Sequence, residues 1–223
     1  MKHIAESAGV QRNIQCVPSQ ISQRDRAQLL GQAAITVWFT GLSASGKSTL
    51  AYALEQELVR RGHACYVLDG DNVRHGLNRD LGFSEQDRSE NIRRVAEVAS
   101  LMNNAGLIVL SALISPKCAD REMAREIIGD QRFVEVYLST PLHACEARDP
   151  KGLYAKARAA QIQGFTGVSA PYEPPQGAAL ALDTAQHGLA DCLAQVMTLV
   201  QAKLPPPCSS CRRRRPQPIM HKS

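Results

Sequence analysis

Residues 41–48, which read GLSASGKS, constrain this chain more than any other segment. They fit the pattern G-x-x-x-x-G-K-[ST], a loop whose backbone N–H groups wrap around a polyphosphate. A short apolar run at 35–39 predicts a buried strand before the loop, and apolar residues at helical spacing follow it over 48–58. Strand, glycine loop and helix start, in this order, are the context that supports the motif. The sequence therefore predicts a site for a nucleoside triphosphate.

The residue types of the loop suit that chemistry. Gly41 and Gly46 allow the backbone to approach phosphate oxygens, and the following helix N-terminus adds positive potential. Lys47 is predicted to reach the β- and γ-phosphates, and the Ser48 hydroxyl to ligate Mg²⁺. We therefore expect ATP and Mg²⁺ as cofactors. The other residues predicted to contact ATP here are Leu42, Ser43, Ala44, Ser45 and Thr49.

Length and composition suit one α/β domain with modest extensions, since 44% of the 223 residues are hydrophobic. The sequence has no run of 18 apolar residues, and its first residues do not resemble a signal peptide. Its seven cysteines are odd in number and scattered, which is typical of reduced thiols. We expect a cytoplasmic protein without a membrane partner.

The net charge of +5 comes from one segment. Five of the 26 Lys and Arg lie in 204–223, and the remaining 21 match the 21 Asp and Glu. The prolines of 204–223 predict an extended, disordered basic tail. Because the rest of the chain is neutral by this count, we expect no nucleic-acid partner. Cys208 and Cys211 lack the two further ligands that a zinc site needs. We divide the chain into an N-terminal extension (1–30), a kinase domain (31–203) and this tail (204–223).

Predicted strands and helices alternate through the domain. Strands are predicted over 64–68, 107–110, 133–138 and 180–182, and helices over about 84–104, 122–128 and 189–203. The alternation predicts a three-layer α/β fold of the P-loop kinase type, with a mostly parallel central sheet and helices on both faces. Ligands bind beyond the carboxyl ends of such strands, where Asp69, Asp71, 111–115 and Thr140 fall.

The alternation is interrupted between about 141 and 175. This segment carries several basic residues and glycines. A mobile lid that closes over bound phosphates explains it better than an ordinary surface insertion, because long loops in compact domains are often functional.

Further motifs follow one another along the chain. They occupy 38–43, 68–74, 81–84, 87–94, 114–116 and 145–154. Together with the glycine loop they resemble the adenylylsulfate kinase family, over roughly residues 12–203. The resemblance implies ATP-dependent phosphorylation of the 3′-hydroxyl of adenosine 5′-phosphosulfate (APS). The products would be 3′-phosphoadenosine 5′-phosphosulfate (PAPS) and ADP, formed in sulfate assimilation by Mg²⁺-assisted in-line transfer.

Four positions depart from the family pattern. Ala44 stands where the family usually has Gly, Leu113 where it has Phe, and Cys16-Val17 where it has Trp-His. We expect Ala44 to be tolerated because a small residue fits there as long as its φ stays negative.

The resemblance also implies roles at the acceptor site. Arg74, Arg88 and Asn91 would hold the phosphosulfate, while Phe83 and Phe165 would sandwich the adenine of APS. A hydrophobic staple beside the helix cap at Ser84 is the alternative role for Phe83. Ile114 and Leu153 complete the expected substrate site.

The implied roles at the phosphates involve carboxylates and basic residues. Asp71, with Asp69 nearby, would hold Mg²⁺ through water or act on the 3′-hydroxyl. Helix capping is the alternative for both carboxylates. Lys151 would neutralise phosphate charge during transfer and contact the substrate, and Arg148 would lie against the adenine of ATP.

Ser115 has two possible roles. In this family the equivalent serine is commonly described as a phosphoserine intermediate. Direct in-line displacement fits P-loop chemistry better, so we expect Ser115 to line the substrate site. The catalytic candidates are Lys47, Asp71, Ser115 and Lys151.

Three other functions are considered. A different small-molecule kinase would not need the two aromatic plates, and a GTPase would want an Asn-Lys-x-Asp motif, which this sequence lacks. A non-catalytic subunit that docks on a sulfurylase through its tail is the third. We expect a homodimer that binds APS, with a functional link to ATP sulfurylase.

Overall fold

The computed structural model describes residue 15 and residues 17–204. Most of the predicted N-terminal extension, Cys16, and residues 205–223 with Cys208 and Cys211 lie outside this part. The described elements, in chain order, are α1 (Gln23–Leu30), β1 (Thr36–Gly41), α2 (Lys47–Arg60), β2 (Cys65–Asp69), α3 (Gly70–His75), α4 (Glu85–Asn104), β3 (Ile108–Ala112), α5 (Cys118–Ile128), β4 (Phe133–Leu138), α6 (Leu142–Arg148), α7 (Leu153–Arg158), β5 (Leu180–Leu182) and α8 (Leu189–Lys203).

The five strands form one sheet in the order β2-β3-β1-β4-β5, and each neighbouring pair is parallel. β1 is central, with Phe39 opposite Ala112 on β3 and Val136 on β4. The carboxyl ends of all five strands therefore meet at one edge of the sheet. The predicted α/β fold is confirmed, and the described sheet is wholly parallel rather than mostly so.

Helices cover both faces of the sheet because successive residues of β1 point to opposite sides. Val37 and Phe39 pack in a first core with helices α2 and α8, through side chains such as Leu54 and Val196. Trp38 packs in a second core with α4 and α5, where Val95 is fully buried. These two cores confirm the three-layer arrangement.

Several elements differ from the sequence-based expectation. Helix α5 begins at Cys118, four residues earlier than predicted, and the short helices α3, α6 and α7 had no predicted counterpart. Helix α1 lies in the predicted extension, where Ser22 and Asp25 form a capping box. A Cβ on Gly106 would stand 2.7 Å from Leu30, so α1 packs closely on the turn that ends α4. This part of the extension belongs to the domain.

Leu204, assigned from sequence to the tail, is partly buried and packs against the first core. This residue therefore packs with the domain. Within residues 17–204, no helix is both long enough and apolar enough to cross a bilayer.

We expect removal of 205–223 to leave the melting temperature within error, because the described core is complete at Leu204. Adding Leu204→Ala to the truncated chain should lower it by about 2–4 °C, the shift that accompanies a loss of about 1 kcal/mol in a domain of this size. Calorimetry of the full chain and both variants provides the measurement. A large drop in the melting temperature on truncation alone would show that residues 205–223 pack on the domain.

Candidate active site

The glycine loop connects β1 to the N-terminus of α2 at the carboxyl edge of the sheet. Gly41 has φ +146°, and a Cβ there would stand 2.7 Å from the Leu138 carbonyl oxygen. Gly46 has φ +97° and immediately precedes α2. Both positions require glycine, so the loop can keep its backbone N–H groups close to a bound anion.

Ala44 differs from the expectation. Its φ is +58°, not negative, so the prediction of an unstrained alanine is wrong. The loop bends through the left-handed region here, which costs an alanine about 1–2 kcal/mol relative to the right-handed one. The methyl group of Ala44 also packs against the lid, which a glycine could not do.

Lys47 lies inside the loop. Its side chain is 7% exposed, and Nζ donates hydrogen bonds to the carbonyl oxygens of Gly41 (2.9 Å) and Leu42 (2.6 Å). Burial lowers the pKa of Lys47 to about 8. The loop thus holds a nitrogen donor that can exchange its carbonyl partners for phosphate oxygens, and a bound polyphosphate would favour the charged form.

Ser48 and Asp69 form an oxygen pair beside the loop. Ser48 Oγ donates to Asp69 Oδ2 at 2.6 Å, and Asp69 Oδ1 accepts from the Asp71 backbone N–H at 3.0 Å. The capping alternative is therefore realised for Asp69, at the N-terminus of α3. A hydroxyl and a carboxylate are ligands that suit Mg²⁺. The structure places Asp69, and not the predicted Asp71, at Ser48.

Asp71 contacts the lid instead. Its carboxylate is 64% exposed and forms an ion pair with Lys151 Nζ. The hydrogen bond from Lys151 to this carboxylate raises the pKa of Lys151. Two predicted catalytic residues are thus brought together across the mouth of the site, where both remain open to solvent.

The segment 141–175, whose movement as a lid stays a prediction, is built around four buried residues, Cys145, Tyr154, Ala157 and Phe165, which we call the lid core. Leu42 and Ala44 of the glycine loop and Leu153 of the lid pack against it. Tyr154 Oη donates to the Ser43 carbonyl oxygen at 3.0 Å, and burial raises the pKa of this phenol. The lid therefore rests directly on the glycine loop. Sequence reasoning gave Tyr154 no role because nothing in its residue type distinguishes this contact from ordinary packing.

Arg148 borders a small cavity of about 170 Å³ beside the start of α2. Its guanidinium donates to the carbonyl oxygen and the hydroxyl of Thr184, each at 2.7 Å. Thr184 Oγ1 in turn donates to the Ser45 carbonyl oxygen at 2.9 Å. Gly46, Thr49 and His187 also line the cavity. Sequence reasoning missed Thr184, although its place just beyond β5 follows the strand-end rule that identified Thr140.

Arg74 and Phe83 meet on the other side of the site. The Arg74 guanidinium lies 4.5 Å from the centroid of the Phe83 ring and donates to the Gly82 carbonyl oxygen at 2.8 Å. Phe83 is 69% exposed, which does not fit a hydrophobic staple. Ser84 does cap α4, accepting from the Asp87 N–H at 3.1 Å.

Arg88 connects the two segments that carry the predicted aromatic plates. It donates to the carbonyl oxygens of Phe83 (2.9 Å) and Gly164 (2.7 Å), and to Thr166 Oγ1 (3.1 Å). Phe165, between the last two, is 8% exposed and packs edge-on against Tyr154 at 5.0 Å. The Phe165 ring lies in the lid core, so its stacking on an adenine stays a prediction.

Asn91 and Ile114 lie deeper than Phe83. Asn91 is 4% exposed and accepts from Asn78 Nδ2 at 3.0 Å. The Ile114 carbonyl oxygen accepts from Thr40 Oγ1 at 2.8 Å and from the Gly41 N–H at 3.4 Å. Ile114 thereby joins the end of β3 to the first residue of the glycine loop.

Ser115 lies beneath the site and not on its surface. It is 2% exposed with φ +39°, and Oγ donates to Thr40 Oγ1 (2.9 Å) and accepts from Trp38 Nε1 (3.2 Å). Burial and these two hydrogen bonds occupy the Ser115 hydroxyl, so this geometry does not support the expectation that Ser115 lines the substrate site, which stays a prediction.

A buried arginine that sequence reasoning missed supports this corner. Arg121 is 3% exposed, and its Nε lies 2.8 Å from Glu135 Oε1 on β4. It donates to the carbonyl oxygens of Ser115 and Glu173, each at 2.7 Å. One guanidinium thus joins the sheet, the loop after β3 and the end of the lid segment. No local pattern indicates this, because the partners are distant in sequence.

Comparison with known proteins agrees with this geometry. The family model for adenylylsulphate kinase matches residues 33–183. The adenylyl-sulfate kinase of Bacteroides thetaiotaomicron is 54% identical, over 82% of this chain and 92% of that protein. The APS kinase of Mycobacterium tuberculosis in complex with AMPPNP and APS superposes with a TM-score of 0.73 at 48% identity, over 76% of this chain and 98% of that one.

A more distant structure, the hexameric APS kinase of Thiobacillus denitrificans, superposes with a TM-score of 0.59 at 31% identity, covering 78% of this chain and 30% of that one. Three observations point to the same family. The family model spans most of the domain, the bacterial relative is more than half identical over the aligned residues, and the glycine loop has its lysine in place. This chain belongs to the adenylylsulfate kinase family.

Proposed function

We propose that this chain transfers the γ-phosphoryl group of ATP to the 3′-hydroxyl of APS, which yields PAPS and ADP. The observation that carries the proposal is the buried Lys47 ammonium, held by loop carbonyls at the carboxyl edge of a parallel sheet. Membership of the family supports APS as the acceptor. The reaction belongs to sulfate activation.

The phosphate side of the site stabilises charge. Lys47 would exchange the Gly41 and Leu42 carbonyls for β- and γ-phosphate oxygens and so offset the charge that develops on the transferred group. Mg²⁺, held through Ser48 with Asp69, would supply further charge neutralisation on the phosphates. Arg148 and the cavity beside Thr184 would receive the adenosine of ATP.

The acceptor side positions APS for in-line attack. Arg74, Arg88 and Asn91 would bind the phosphosulfate, with Phe83 and Phe165 against the adenine. Asp71 is the exposed carboxylate that can accept the 3′-hydroxyl proton once Lys151 turns to the phosphates. Ser115 takes no covalent part, because its hydroxyl is buried and already bonded.

The chain's surroundings are part of the proposal. We propose a homodimer, supported by exposed apolar side chains on α1 (Leu29, 82%) and α4 (Leu101, 68%). The four cysteines described are free thiols, which supports a reducing, cytoplasmic location. An enzyme that forms APS, such as ATP sulfurylase, would supply the acceptor.

Lys47→Ala should lower kcat by about 10³-fold or more, because the transition state loses its closest positive charge. The measurement is ADP release in a coupled assay, with and without APS. Lys203→Ala, at the end of α8, is the matched control and should behave as the wild type. Near-normal turnover of Lys47→Ala would contradict the mechanism.

The two carboxylates can be separated by their dependence on Mg²⁺. If Asp69 supports the metal at Ser48, Asp69→Asn should shift the Mg²⁺ concentration for half-maximal activity upward by about 10-fold or more. Asp71→Asn should instead lower kcat at saturating Mg²⁺. If Asp71→Asn instead raised the Mg²⁺ requirement and Asp69→Asn lowered kcat, Asp71 would be the residue that supports the metal.

Ser115→Ala distinguishes direct transfer from a phosphoserine intermediate. We expect activity to persist and stability to fall by about 1–3 kcal/mol, because the variant leaves Trp38 Nε1 without its buried acceptor. Ser111→Ala is the control, since that hydroxyl is buried without a partner among the described residues. The covalent route would be established by two results together. The Ser115→Ala variant would be inactive, and wild-type Ser115 would take up label from γ-labelled ATP and pass it to the product when APS is added.

A further inference from the structure

We propose that Asn78 is a positioning residue which orients the side-chain amide of Asn91 so that Nδ2, and not Oδ1, faces the anionic group of the acceptor. The inference rests on the proposed function, in which Asn91 contacts the phosphosulfate of APS. It assigns a role to a buried side chain that the mechanism above does not use.

Asn78 lies in the loop that joins α3 to α4. It is fully buried, at 0% exposure, and its backbone N–H donates to the Val73 carbonyl oxygen at 2.8 Å. Its own carbonyl oxygen accepts from the Leu81 N–H at 3.1 Å. The backbone at Asn78 is therefore held on both sides by hydrogen bonds.

The Asn78 side chain makes one hydrogen bond, and this bond occupies the oxygen of the Asn91 amide. Asn78 Nδ2 donates to Asn91 Oδ1 at 3.0 Å. Within residues 17–204, Asn91 Nδ2 donates to no acceptor, yet it is not among the fully buried unpaired atoms. The donor end of the amide is therefore the end that a ligand can reach.

The charge of the acceptor makes this orientation matter. An amide can present either an N–H₂ donor or a carbonyl acceptor, and a phosphosulfate accepts hydrogen bonds but donates none. Rotating the side-chain amide of Asn91 by half a turn would place its N–H₂ group against the N–H₂ group of Asn78. Its oxygen would then face the anion. The hydrogen bond from Asn78 Nδ2 therefore favours the orientation of Asn91 that presents a donor to an anion.

Hydrogen bonding satisfies only one end of the Asn78 amide. Its Oδ1 is buried without a hydrogen-bond partner in the described part of the chain. A buried, unpaired carbonyl is unfavourable for folding. Asn78 lies beside Asn91 on α4, in the same loop whose Leu81 and Gly82 carbonyls accept hydrogen bonds from Arg74 (3.3 and 2.8 Å). A role in orienting Asn91 would explain why an unpaired carbonyl is buried here.

A double-mutant cycle tests the coupling. Asn78→Leu keeps the branching at Cγ and removes the donor, Asn91→Ala removes the amide, and the third protein carries both changes. We expect Asn91→Ala to raise the KM for APS on the order of 10-fold, and Asn78→Leu to raise it by roughly 3- to 10-fold. The double variant should be no worse than Asn91→Ala, and the KM for ATP should stay within twofold throughout.

Asn103→Leu is the matched control. Asn103 is 2% exposed and donates to the carbonyl oxygens of Ile35 (3.1 Å) and Leu107 (3.0 Å), away from the acceptor site. Its loss should lower the melting temperature without changing the KM for APS. Asn78→Ser, which leaves more room, replaces Asn78→Leu if the latter does not fold.

The other outcomes each overturn the inference. Additive effects of the two substitutions, an equal rise in the KM for ATP, or an unchanged KM for APS in the Asn78 variants would each show that Asn78 does not act through Asn91. A wild-type chain without APS-dependent ADP release overturns the proposed function as well. A fully active wild type with an unaffected Asn78→Leu overturns the inference alone.

Discussion

Parallel pairing of β1 with both β3 and β4 is the constraint on which the rest of the structure depends. It places the end of β1 in the middle of the sheet edge, so that the glycine loop emerges between the loops that follow β3 and β4. The approach to β4 leaves no room for a side chain on Gly41, whose Cβ would meet the Leu138 carbonyl. The position of the anion site is thus fixed by strand order before any functional side chain is considered.

Around this fixed centre, the contacts differ in burial. The Arg121–Glu135 pair is almost fully buried and holds the Ser115 carbonyl together with the end of the lid segment. Removing one partner of such a pair typically costs about 3–5 kcal/mol, because the other charge is left buried and alone. The Lys151–Asp71 pair is exposed and contributes little. The base of the site is therefore held by buried contacts, whereas the exposed contact at its mouth can exchange partners at little cost.

The sequence predicted elements well where hydrophobic periodicity was long or the strand was fully buried. β4 and α8 were placed correctly because apolar runs and flanking turn residues mark their ends. β5 was also placed correctly, although only Leu182 of its three residues is buried. Helices α3, α6 and α7 have only six or seven residues, too few for a periodic pattern to stand out. Helix α3 is capped by Asp69, whereas α6 and α7 have no side-chain cap and depend on packing through residues such as Cys145 and Tyr154.

The same distinction applies to the site. Lys47, Ser48 and the two glycines follow from a local motif whose geometry is the same wherever it occurs. The burial of Ser115, the left-handed backbone of Ala44 and the contact of Asp69 with Ser48 depend on how separate segments meet. Asp69 and Asp71 are two residues apart and chemically alike. Only the direction of the chain between β2 and α3 decides which of them reaches the loop.

The strand order also bears on how the chain folds during its synthesis. β1 and β2, although consecutive, are not neighbours in the sheet, because β3 lies between them. Neither strand can therefore pair until Ile108–Ala112 has been made, and β1 needs Phe133–Leu138 as well. Contacts between segments so distant in sequence form slowly. Nearly half of the domain must thus be synthesised while β1 and β2 are still unpaired, and a nascent chain with unpaired strands is exposed to aggregation and to chaperones.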